Sequence, residues 1–268
     1  MKFTVLGGSG FVGTHLVKHL LAAGHEVVVP PRNASPNSSE PLGHVIYAIG
    51  LTGDFRSRPY DTIDAHVNIL GHWLKESSFD SLLYLSSTRV YGTMPADTHE
   101  DASIAARADA DSLYNLSKLL GESLCISQQR KDVRIARLSN IYGEGQNEQT
   151  FLGSLISSAA ASKNILVKED PESAKDYISV LDAVSCIEKI ALLGSHQTYN
   201  VASGENTSHQ DIVDALSRNA TVEVAFETQA GLRKFPLINT NRLQSEFPFT
   251  PRRLLQDLPG LVNHQLNN

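Results

Sequence analysis

Short apolar runs alternate with amphipathic stretches along the first half of the chain. The apolar runs have the length and composition of buried strands and lie at residues 2–7, 25–29, 45–50, 81–86 and 133–139. Between them, apolar residues recur at helical spacing and predict helices over residues 10–24, 60–76 and 112–129. Such alternation predicts βαβ units, and their right-handed crossovers give an α/β fold with a Rossmann-type doubly wound parallel sheet.

The pattern becomes less regular after about residue 143. Helices are predicted over residues 150–162, 180–194 and 207–219, and strands over 165–169, 198–202 and 221–227. We interpret this part as a smaller C-terminal α+β lobe. The predicted division is a sheet domain over 1–142, rejoined by 177–203, and a discontinuous lobe over 143–268.

Composition narrows the possible classes of protein. The 268 residues carry 23 Lys and Arg against 29 Asp and Glu, a net charge of −6, which disfavours binding to nucleic acid or to an anionic membrane. The N-terminus does not resemble a signal peptide, so we expect a cytoplasmic protein. The cysteines, Cys125 and Cys186, are far apart and the histidines are scattered, so we expect no metal site.

A glycine-rich loop follows the first predicted strand and opens the first predicted helix. In GGSGFVG, Gly7, Gly10 and Gly13 permit a tight turn and close helix–strand packing, and Phe11 and Val12 begin the helix. The free N–H groups at a helix N-terminus bind the pyrophosphate of a dinucleotide. The sheet domain is therefore predicted to bind NAD(P), which leaves the lobe for the substrate.

The residues after the second predicted strand indicate which dinucleotide is used. An NAD-binding fold usually ends this strand with an acidic residue that binds the ribose 2′-hydroxyl. Here the strand is followed by Pro30, Pro31 and Arg32, and Arg32 could pair with a 2′-phosphate. The alternative is that Arg32 is only a solvated loop residue. We expect NADP, with NAD as the alternative.

Candidate catalytic groups lie on the third predicted helix and at the end of the fourth strand. Tyr114 and Lys118 are four residues apart, so they share a helix face, and a nearby ammonium favours the ionised phenol. The same ammonium can hold the nicotinamide ribose. Ser87 and Thr88 follow the strand, at the sheet edge where ligands bind, and a hydroxyl there can donate to a substrate carbonyl.

Six motifs in order along the chain resemble one family. They are GGSGFVG, SSTRVYG, YNLSK, RLSNIYGEGQ, KDYISVLDAV and YNVASGE. Together they resemble the extended short-chain dehydrogenase/reductase family, and within it the NAD(P)-dependent nucleotide-sugar epimerase/dehydratase branch. The resemblance extends from Phe3 to about Glu205. It implies a nucleotide-sugar substrate and a homodimer packed through helices such as the one that carries Tyr114.

The resemblance also implies roles for individual residues. Tyr114 matches the catalytic acid/base and Lys118 its partner, and Ser87 matches the catalytic Ser or Thr. Asn68 matches a helix Asn that supports the Lys, and Asn140 matches an Asn that helps hold the sugar nucleotide. The remaining matches are less specific. Thr88, next to Ser87, is a candidate for binding the substrate, and Arg137 is either structural or functional. Asp176 lies in a segment that is architectural in the family.

Three departures from the family pattern matter. The segment between Arg32 and His44 is too short for the usual helix and third strand, so we expect one edge strand fewer. The 4,6-dehydratases carry Asp-Glu after the catalytic Thr, whereas this chain has Thr88-Arg89, which disfavours dehydration. The loop over residues 52–59 carries Arg56 and Arg58, which either bind a phosphate or are solvated or salt-bridged.

These observations favour an NAD(P)-dependent oxidoreductase that acts on a nucleotide-linked sugar, specifically a 4-keto-sugar reductase with a Ser-Tyr-Lys site. Two alternatives stay open. One is a nucleotide-sugar epimerase that retains NAD. The other is a cofactor-sensing protein without turnover, although such proteins commonly lose the Tyr or the Lys, and Tyr114 and Lys118 are both present.

The Arg32 hypothesis predicts a selective loss of affinity. Arg32→Ala should weaken NADPH binding by about 1.5–3 kcal/mol for each lost charge-assisted hydrogen bond. NADH binding should hardly change, because NADH lacks the 2′-phosphate. Titration calorimetry of both dinucleotides measures the two affinities. Equal affinity of the unaltered protein for NADH and NADPH would contradict the NADP preference.

Overall fold

The computed structural model describes residues 1–37, 39–93, 97–161, 164–219 and 223–267. Ser162, in a predicted helix, and Thr221 and Val222, in a predicted strand, lie outside the described residues. The strands of the described chain are β1 (Lys2–Leu6), β2 (Glu26–Val28), β3 (His44–Tyr47), β4 (Ser81–Ser87), β5 (Val133–Leu138), β6 (Asn140–Tyr142), β7 (Ile165–Glu169), β8 (Ala174–Ser179), β9 (Thr198–Val201), β10 (Asn206–Ser208) and β11 (Val224–Gly231).

The helices alternate with these strands. They are α1 (Phe11–Ala22), α2 (Pro59–Ile63), α3 (Ile69–Glu76), α4 (Leu113–Ser127), α5 (Phe151–Ala160), α6 (Val180–Leu193), α7 (His209–Asn219), α8 (Asn241–Glu246) and α9 (Leu254–Leu266). A π-helical segment, Asp64–Asn68, joins α2 to α3, and a 3₁₀ helix, Thr88–Tyr91, follows β4. No helix in the described part of the chain is long and apolar enough to cross a membrane.

The central sheet has the strand order β2-β1-β3-β4-β5-β9, and every neighbouring pair in it is parallel. This confirms the predicted doubly wound α/β fold. Among the described residues between Arg32 and Gly43 there is no helix and no strand, so β2 forms this edge of the sheet. The expected loss of one edge strand is therefore confirmed.

Both faces of the sheet are buried, and side chains alternate between them with the two-residue period of a strand. Ile46 and Leu83 belong to the core beneath α1 and α6, whereas Tyr47 and Tyr84 belong to the core beneath α3 and α4. All four side chains are fully buried. Two hydrophobic faces explain why the strands have continuous apolar runs instead of alternating polar and apolar residues.

The C-terminal part forms a separate hydrophobic core. The strands β6, β8 and β10 make one small sheet, β7 pairs with β11, and α5, α7 and α9 pack together. The strand β8 runs directly into α6, which packs back on the central sheet. This connection brings the small sheet to the carboxyl ends of β4 and β5, where ligands of such folds bind.

A buried ion pair joins α4 to the central sheet. Arg137 of β5 donates from Nη2 to Glu122 Oε2 (2.7 Å) and from Nε to Glu122 Oε1 (3.0 Å), and Ser86 donates to the same carboxylate (2.5 Å). The second arm of Arg137 donates to the Tyr91 hydroxyl (2.8 Å) and to the Glu100 carbonyl (3.1 Å). Arg137 thus has a structural role, because its guanidinium is occupied by protein groups.

We expect the removal of one partner of this ion pair to destabilise the fold. Arg137→Met should lower the free energy of unfolding by about 3–5 kcal/mol, because Glu122 would remain charged and buried without its partner. The double variant Arg137→Met/Glu122→Leu should recover most of that loss. Urea unfolding followed by circular dichroism measures both values. A loss below about 1 kcal/mol in the single variant would contradict a structural role for the pair.

Candidate active site

The glycine-rich loop makes two close backbone approaches that only glycine allows. Gly7 has φ +85°, and a Cβ there would lie 2.8 Å from the carbonyl of Ala48. A Cβ on Gly13 would lie 2.2 Å from the Gly7 carbonyl oxygen. Neither contact can be relieved by moving a side chain, since both involve backbone atoms. The loop is therefore held tightly against the ends of β1 and β3.

The loop leaves the N-terminus of α1 open. The helix begins at Phe11, its capping residue Gly10 has no side chain to cap it, and its first turn carries no acidic residue. The N–H groups of Phe11, Val12 and Gly13 have no acceptor inside the helix. An uncapped helix N-terminus without a nearby carboxylate suits an anionic phosphate. The residues present thus fit the pyrophosphate of a nicotinamide dinucleotide.

Arg32 lies in the exposed turn after β2. Within the described chain its side chain makes no hydrogen bond and no ion pair. The position is compatible both with pairing to a 2′-phosphate and with a solvated loop residue. The preference for NADP stays a prediction.

Ser87 and Tyr114 meet at the carboxyl end of β4. Ser87 is the last residue of β4 and Tyr114 is the second residue of α4, and the two side chains lie close together. Burial raises the pKa of Tyr114, and the nearby Ser87 hydroxyl and the charge of Arg89 oppose this rise. Thr88, the neighbouring candidate, donates its hydroxyl to the Leu138 carbonyl (3.5 Å). The structure thus brings together the predicted pair of hydroxyl groups.

Lys118 lies one helical turn after Tyr114 and is buried. Its Nζ donates to the Leu85 carbonyl (2.9 Å) and lies 5.0 Å from the centroid of the Tyr84 ring. Burial lowers the pKa of Lys118 to about 7, although the charge of Glu122 partly opposes this. The ammonium of Lys118 is therefore easier to deprotonate than that of an exposed lysine.

His66 is a buried member of the site that sequence analysis missed. Its Nδ1 lies 2.8 Å from the Ser117 hydroxyl, and its Nε2 accepts the Leu51 N–H (3.3 Å). The ring contacts that of Tyr114 edge-on, with centroids 5.4 Å apart. Burial and the charge of Lys118 lower the pKa of His66 to about 3. The imidazole is therefore neutral, with its proton on Nδ1.

The structure places His66, and not Asn68, beside Lys118. Asn68 is exposed and its amide donates to Asp64 (2.5 Å), whereas His66 lies beside Lys118. A Cβ built on Gly50 would meet both His66 Nε2 (3.3 Å) and Lys118 Nζ (3.5 Å). Residues two apart on a helix do not share a face, so only one of the pair can point inward. The motif HVNILG contains both candidates, and its hydrophobic spacing alone does not separate them.

The loop after β3 covers Tyr114. Phe55 is buried and its ring centroid lies 5.7 Å from that of Tyr114. Arg89, from the 3₁₀ helix after β4, places its guanidinium carbon 4.9 Å above the Tyr114 ring. The backbone N–H of Arg89 donates to Ser87 Oγ (3.2 Å). An aromatic ring and a cation therefore enclose the Tyr114 ring.

The two arginines of this loop are paired with carboxylates. Arg56 donates to Asp111 (2.6 Å), and Arg58 donates to Asp61 (2.8 Å) and Asp54 (3.0 Å). All five side chains are exposed. Of the two alternatives drawn from the sequence, the structure has the salt-bridged one. Binding of a phosphate by Arg56 would require it to leave Asp111.

Asn140 lies at the start of β6, where the small sheet leaves β5. Its amide donates to the Asp176 carbonyl (2.8 Å). The Asp176 carboxylate accepts hydrogen bonds from the Ser203 N–H (3.0 Å) and the Gly204 N–H (2.7 Å). Asp176 therefore ties β8 to the end of β9, in agreement with an architectural role.

Several cations lie around the mouth of the site. Burial lowers the pKa of Lys175, its partner Glu169 (3.2 Å) raises it, and the charges of Arg233 and Arg89 lower it further. Arg89 in turn is repelled by Arg56 and Arg233. These cations lie close together, but Glu169 pairs with both Lys175 and Arg233, and Asp111 pairs with Arg56. Arg89 is the member of this group without a carboxylate partner among the described residues.

Comparisons with known proteins identify the family and the fold. The sequence model of the NAD dependent epimerase/dehydratase family matches residues 3–202. GDP-6-deoxy-D-mannose reductase of Pseudomonas aeruginosa is 30% identical over 254 residues, which cover 83% of this chain and 81% of that protein. The dTDP-glucose 4,6-dehydratase of Streptomyces griseus is 25% identical over 297 residues, covering 94% and 90%. The structure of RMD from P. aeruginosa complexed with NADPH superposes with a TM-score of 0.80 at 24% identity, covering 100% of both chains.

The buried Lys118 should make stability depend on pH. Burial holds the pKa of Lys118 near 7 in the folded protein, whereas the pKa of a lysine in an unfolded chain is about 10.4. At pH values between these two, the unfolded chain therefore binds more protons than the folded protein. The free energy of unfolding should therefore rise with pH over this range, by at most about 1.4 kcal/mol per pH unit.

Lys118→Met should remove this rise. Urea unfolding of both proteins at several pH values from neutral upward measures the difference. Lys18→Met, on the exposed face of α1, serves as the matched control and should keep the unaltered slope. The same slope in Lys118→Met as in the unaltered protein would show that Lys118 is charged in the folded state throughout.

Proposed function

Since the chain belongs to the NAD-dependent epimerase/dehydratase family, we propose that it is a nucleotide-sugar reductase that acts on a nucleotide-linked 4-keto-6-deoxyhexose with NADPH. The observation that carries this proposal is the close approach of Ser87 to Tyr114, with Lys118 one helical turn away. This arrangement offers one hydroxyl to polarise a carbonyl and one to transfer a proton.

The chain's own residues have distinct tasks in this reaction. Ser87 donates a hydrogen bond to the carbonyl oxygen of the sugar, where negative charge develops. Tyr114 gives its proton to that oxygen as the carbonyl becomes a hydroxyl group. The dinucleotide, when bound, supplies the hydride. Residues proposed to hold it are Gly7, Gly10, Phe11, Val12, Gly13, Arg32, Tyr114 and Lys118.

Two observations favour reduction over dehydration. Loss of water needs an acid and a base beside the hydride chemistry, and Thr88 and Arg89 occupy the positions where dehydratases carry them. Thr88 instead donates to a backbone carbonyl, and Arg89 lies on the Tyr114 ring. Among the relatives, the reductase from P. aeruginosa has the higher identity of the two described above. The NADPH in the similar RMD structure supports NADP as the cofactor.

A cluster of cations near the site suits the diphosphate of a nucleotide sugar. Arg89, Lys175 and Arg233 interact electrostatically at the junction of the central sheet and the small sheet. We propose that the lobe over residues 143–268 holds the nucleotide, with Asn140 at its edge, and that residues 177–203 return to the NAD(P)-binding domain over 1–142. Thr88 and Arg56 are proposed to contact the substrate as well, Arg56 after exchanging Asp111 for phosphate.

We further propose a cytoplasmic homodimer. Leu120 and Ile126 on α4 are 49% and 47% exposed, although α4 is otherwise packed against the central sheet. These two exposed apolar side chains lie on the helix that carries Tyr114, through which we propose that the copies pair. Light scattering of the purified protein measures its mass in solution.

The proposed reaction predicts consumption of NADPH. Purified protein should lack tightly bound NAD and should oxidise added NADPH when given a nucleotide-linked 4-keto-6-deoxyhexose, as followed by absorbance of the reduced nicotinamide. Tyr114→Phe should lower kcat by at least about a hundredfold, because only the proton-transfer group is lost. Its dinucleotide affinity should stay within a few-fold of the original.

Chromatography of the sugar nucleotides distinguishes the other outcomes. Protein that arrives loaded with NAD and interconverts two sugar epimers without net use of cofactor would show that the reductase proposal is wrong and that the epimerase alternative holds. Near-original kcat in Tyr114→Phe would remove Tyr114 from the mechanism. Binding of the dinucleotide without turnover of any sugar nucleotide in a panel would favour a sensing protein.

A further inference from the structure

Arg89 contacts both hydroxyl-bearing residues of the site. Its guanidinium carbon lies 4.9 Å from the centroid of the Tyr114 ring and 5.8 Å from that of Phe55. Its backbone N–H donates to Ser87 Oγ (3.2 Å). The 3₁₀ helix that carries it begins directly after β4, and its Tyr91 is held by Arg137. Arg89 is thus attached to a rigid part of the fold and not to a free loop.

Arg89 also lacks the kind of partner that other arginines of this chain have. Arg137 is paired with Glu122, and Arg56 is paired with Asp111. For Arg89, no ion pair and no hydrogen bond from the guanidinium occurs with any described residue. Its charged neighbours are Arg56 and Arg233, which repel it. A half-buried cation in such surroundings is stabilised chiefly by the electron-rich face of the Tyr114 ring, and more so when that phenol is ionised.

Lys118, the expected cation of the site, is less suited to a constant charge. Its ammonium is directed at the Leu85 carbonyl and at the ring of Tyr84. Burial lowers the pKa of Lys118, so its charge is easier to remove than that of an exposed lysine. A guanidinium keeps its charge throughout that range.

We propose that Arg89 is a positioning residue that acts through Tyr114: its guanidinium supplies the permanent positive charge that favours the ionised phenol, while its backbone N–H orients the Ser87 hydroxyl. This inference rests on the proposed function for the role of Tyr114 as the proton-transfer group. Arg89 thus supplies at Tyr114 the positive charge that Lys118 supplies only in part. It also keeps the hydroxyl groups of Ser87 and Tyr114 in one arrangement.

The groups that surround Tyr114 and Arg89 determine how the removal of Arg89 changes the titration of Tyr114. Tyr114 is faced by Ser87 from β4, by neutral His66 from the π-helical segment, by Phe55 from the loop and by Lys118 from its own helix. Tyr84 also lies near enough to interact with it. The charged groups nearest Arg89 are the cations Arg56, Arg233 and Lys175. Arg56 is paired with Asp111, and the other two are paired with Glu169. Among the described residues no carboxylate contacts either ring or guanidinium, so removal of Arg89 should shift the titration of Tyr114 in one direction, upward.

The test follows ionisation at position 114 directly. Tyr114→difluorotyrosine introduces a more acidic phenol whose ¹⁹F chemical shift reports its protonation. The label is titrated in the full-length protein with Arg89 retained, with Arg89→Met and with Arg89→Lys. Methionine keeps contact with the aromatic rings but has no charge, and lysine restores a charge. Tyr60→difluorotyrosine, at a position 85% exposed, is the matched control for general effects of each substitution.

We expect Arg89→Met to raise the titration midpoint of position 114 by about one pH unit or more, and Arg89→Lys to recover most of that shift. The label at position 60 should titrate identically in all three proteins. An unchanged midpoint in Arg89→Met would overturn the proposal. So would an equal shift in Arg89→Met and Arg89→Lys, because that result would indicate lost packing instead of lost charge.

Control measurements separate a loss of folding and a failure of the proposed function from a failure of the Arg89 proposal. Thermal unfolding establishes that each variant is folded, and Arg89→Gln replaces Arg89→Met if the methionine variant does not fold. The titration requires neither substrate nor dinucleotide, so its failure is distinct from failure of the proposed function. Absence of NADPH oxidation by the unaltered protein would contradict the proposed reaction, whereas an unshifted titration would contradict only the role of Arg89.

Discussion

The arrangement of the site depends on the buried ion pair between Glu122 and Arg137. This pair joins α4 to β5, and the Ser86 hydroxyl joins the same carboxylate to β4. The other arm of Arg137 holds the 3₁₀ helix after β4 through Tyr91. A charged pair in the protein interior is stable only when its partners have the right geometry, so it permits one register of the helix against the sheet.

That register places the reactive groups. Tyr114, Lys118 and Glu122 follow one another at four-residue intervals on α4, so they lie along one face of the helix. Opposite them, β4 presents the Ser87 hydroxyl to Tyr114, the Leu85 carbonyl to Lys118 and the Ser86 hydroxyl to Glu122. On this helix face, Glu122 therefore anchors α4 to the sheet, and Tyr114 carries the reactive hydroxyl group. The site can be buried and still carry charge because each polar group has a defined partner on the strand.

The sequence was sufficient to predict the parts of the site that depend on local pattern. The glycine loop, the spacing of Tyr114 and Lys118 and the position of Ser87 after a strand all follow from short-range rules. The choice between His66 and Asn68 does not, because it depends on how the π-helical segment turns toward Ser117 and Leu51. The pairing of Arg56 with Asp111, 55 positions away, and the stacking of Arg89 on Tyr114 likewise require the folded chain.

The central claim is that the groups held by this ion pair direct hydride transfer to a sugar carbon. The most direct test uses NADPH carrying deuterium at the transferring position of the nicotinamide, together with a nucleotide-linked 4-keto-6-deoxyhexose. Mass spectrometry of the product sugar then counts the deuterium atoms. The account predicts one deuterium in each product molecule, and at least about a hundredfold less labelled product from the Tyr114→Phe control at the same time point. A product sugar free of deuterium would contradict it.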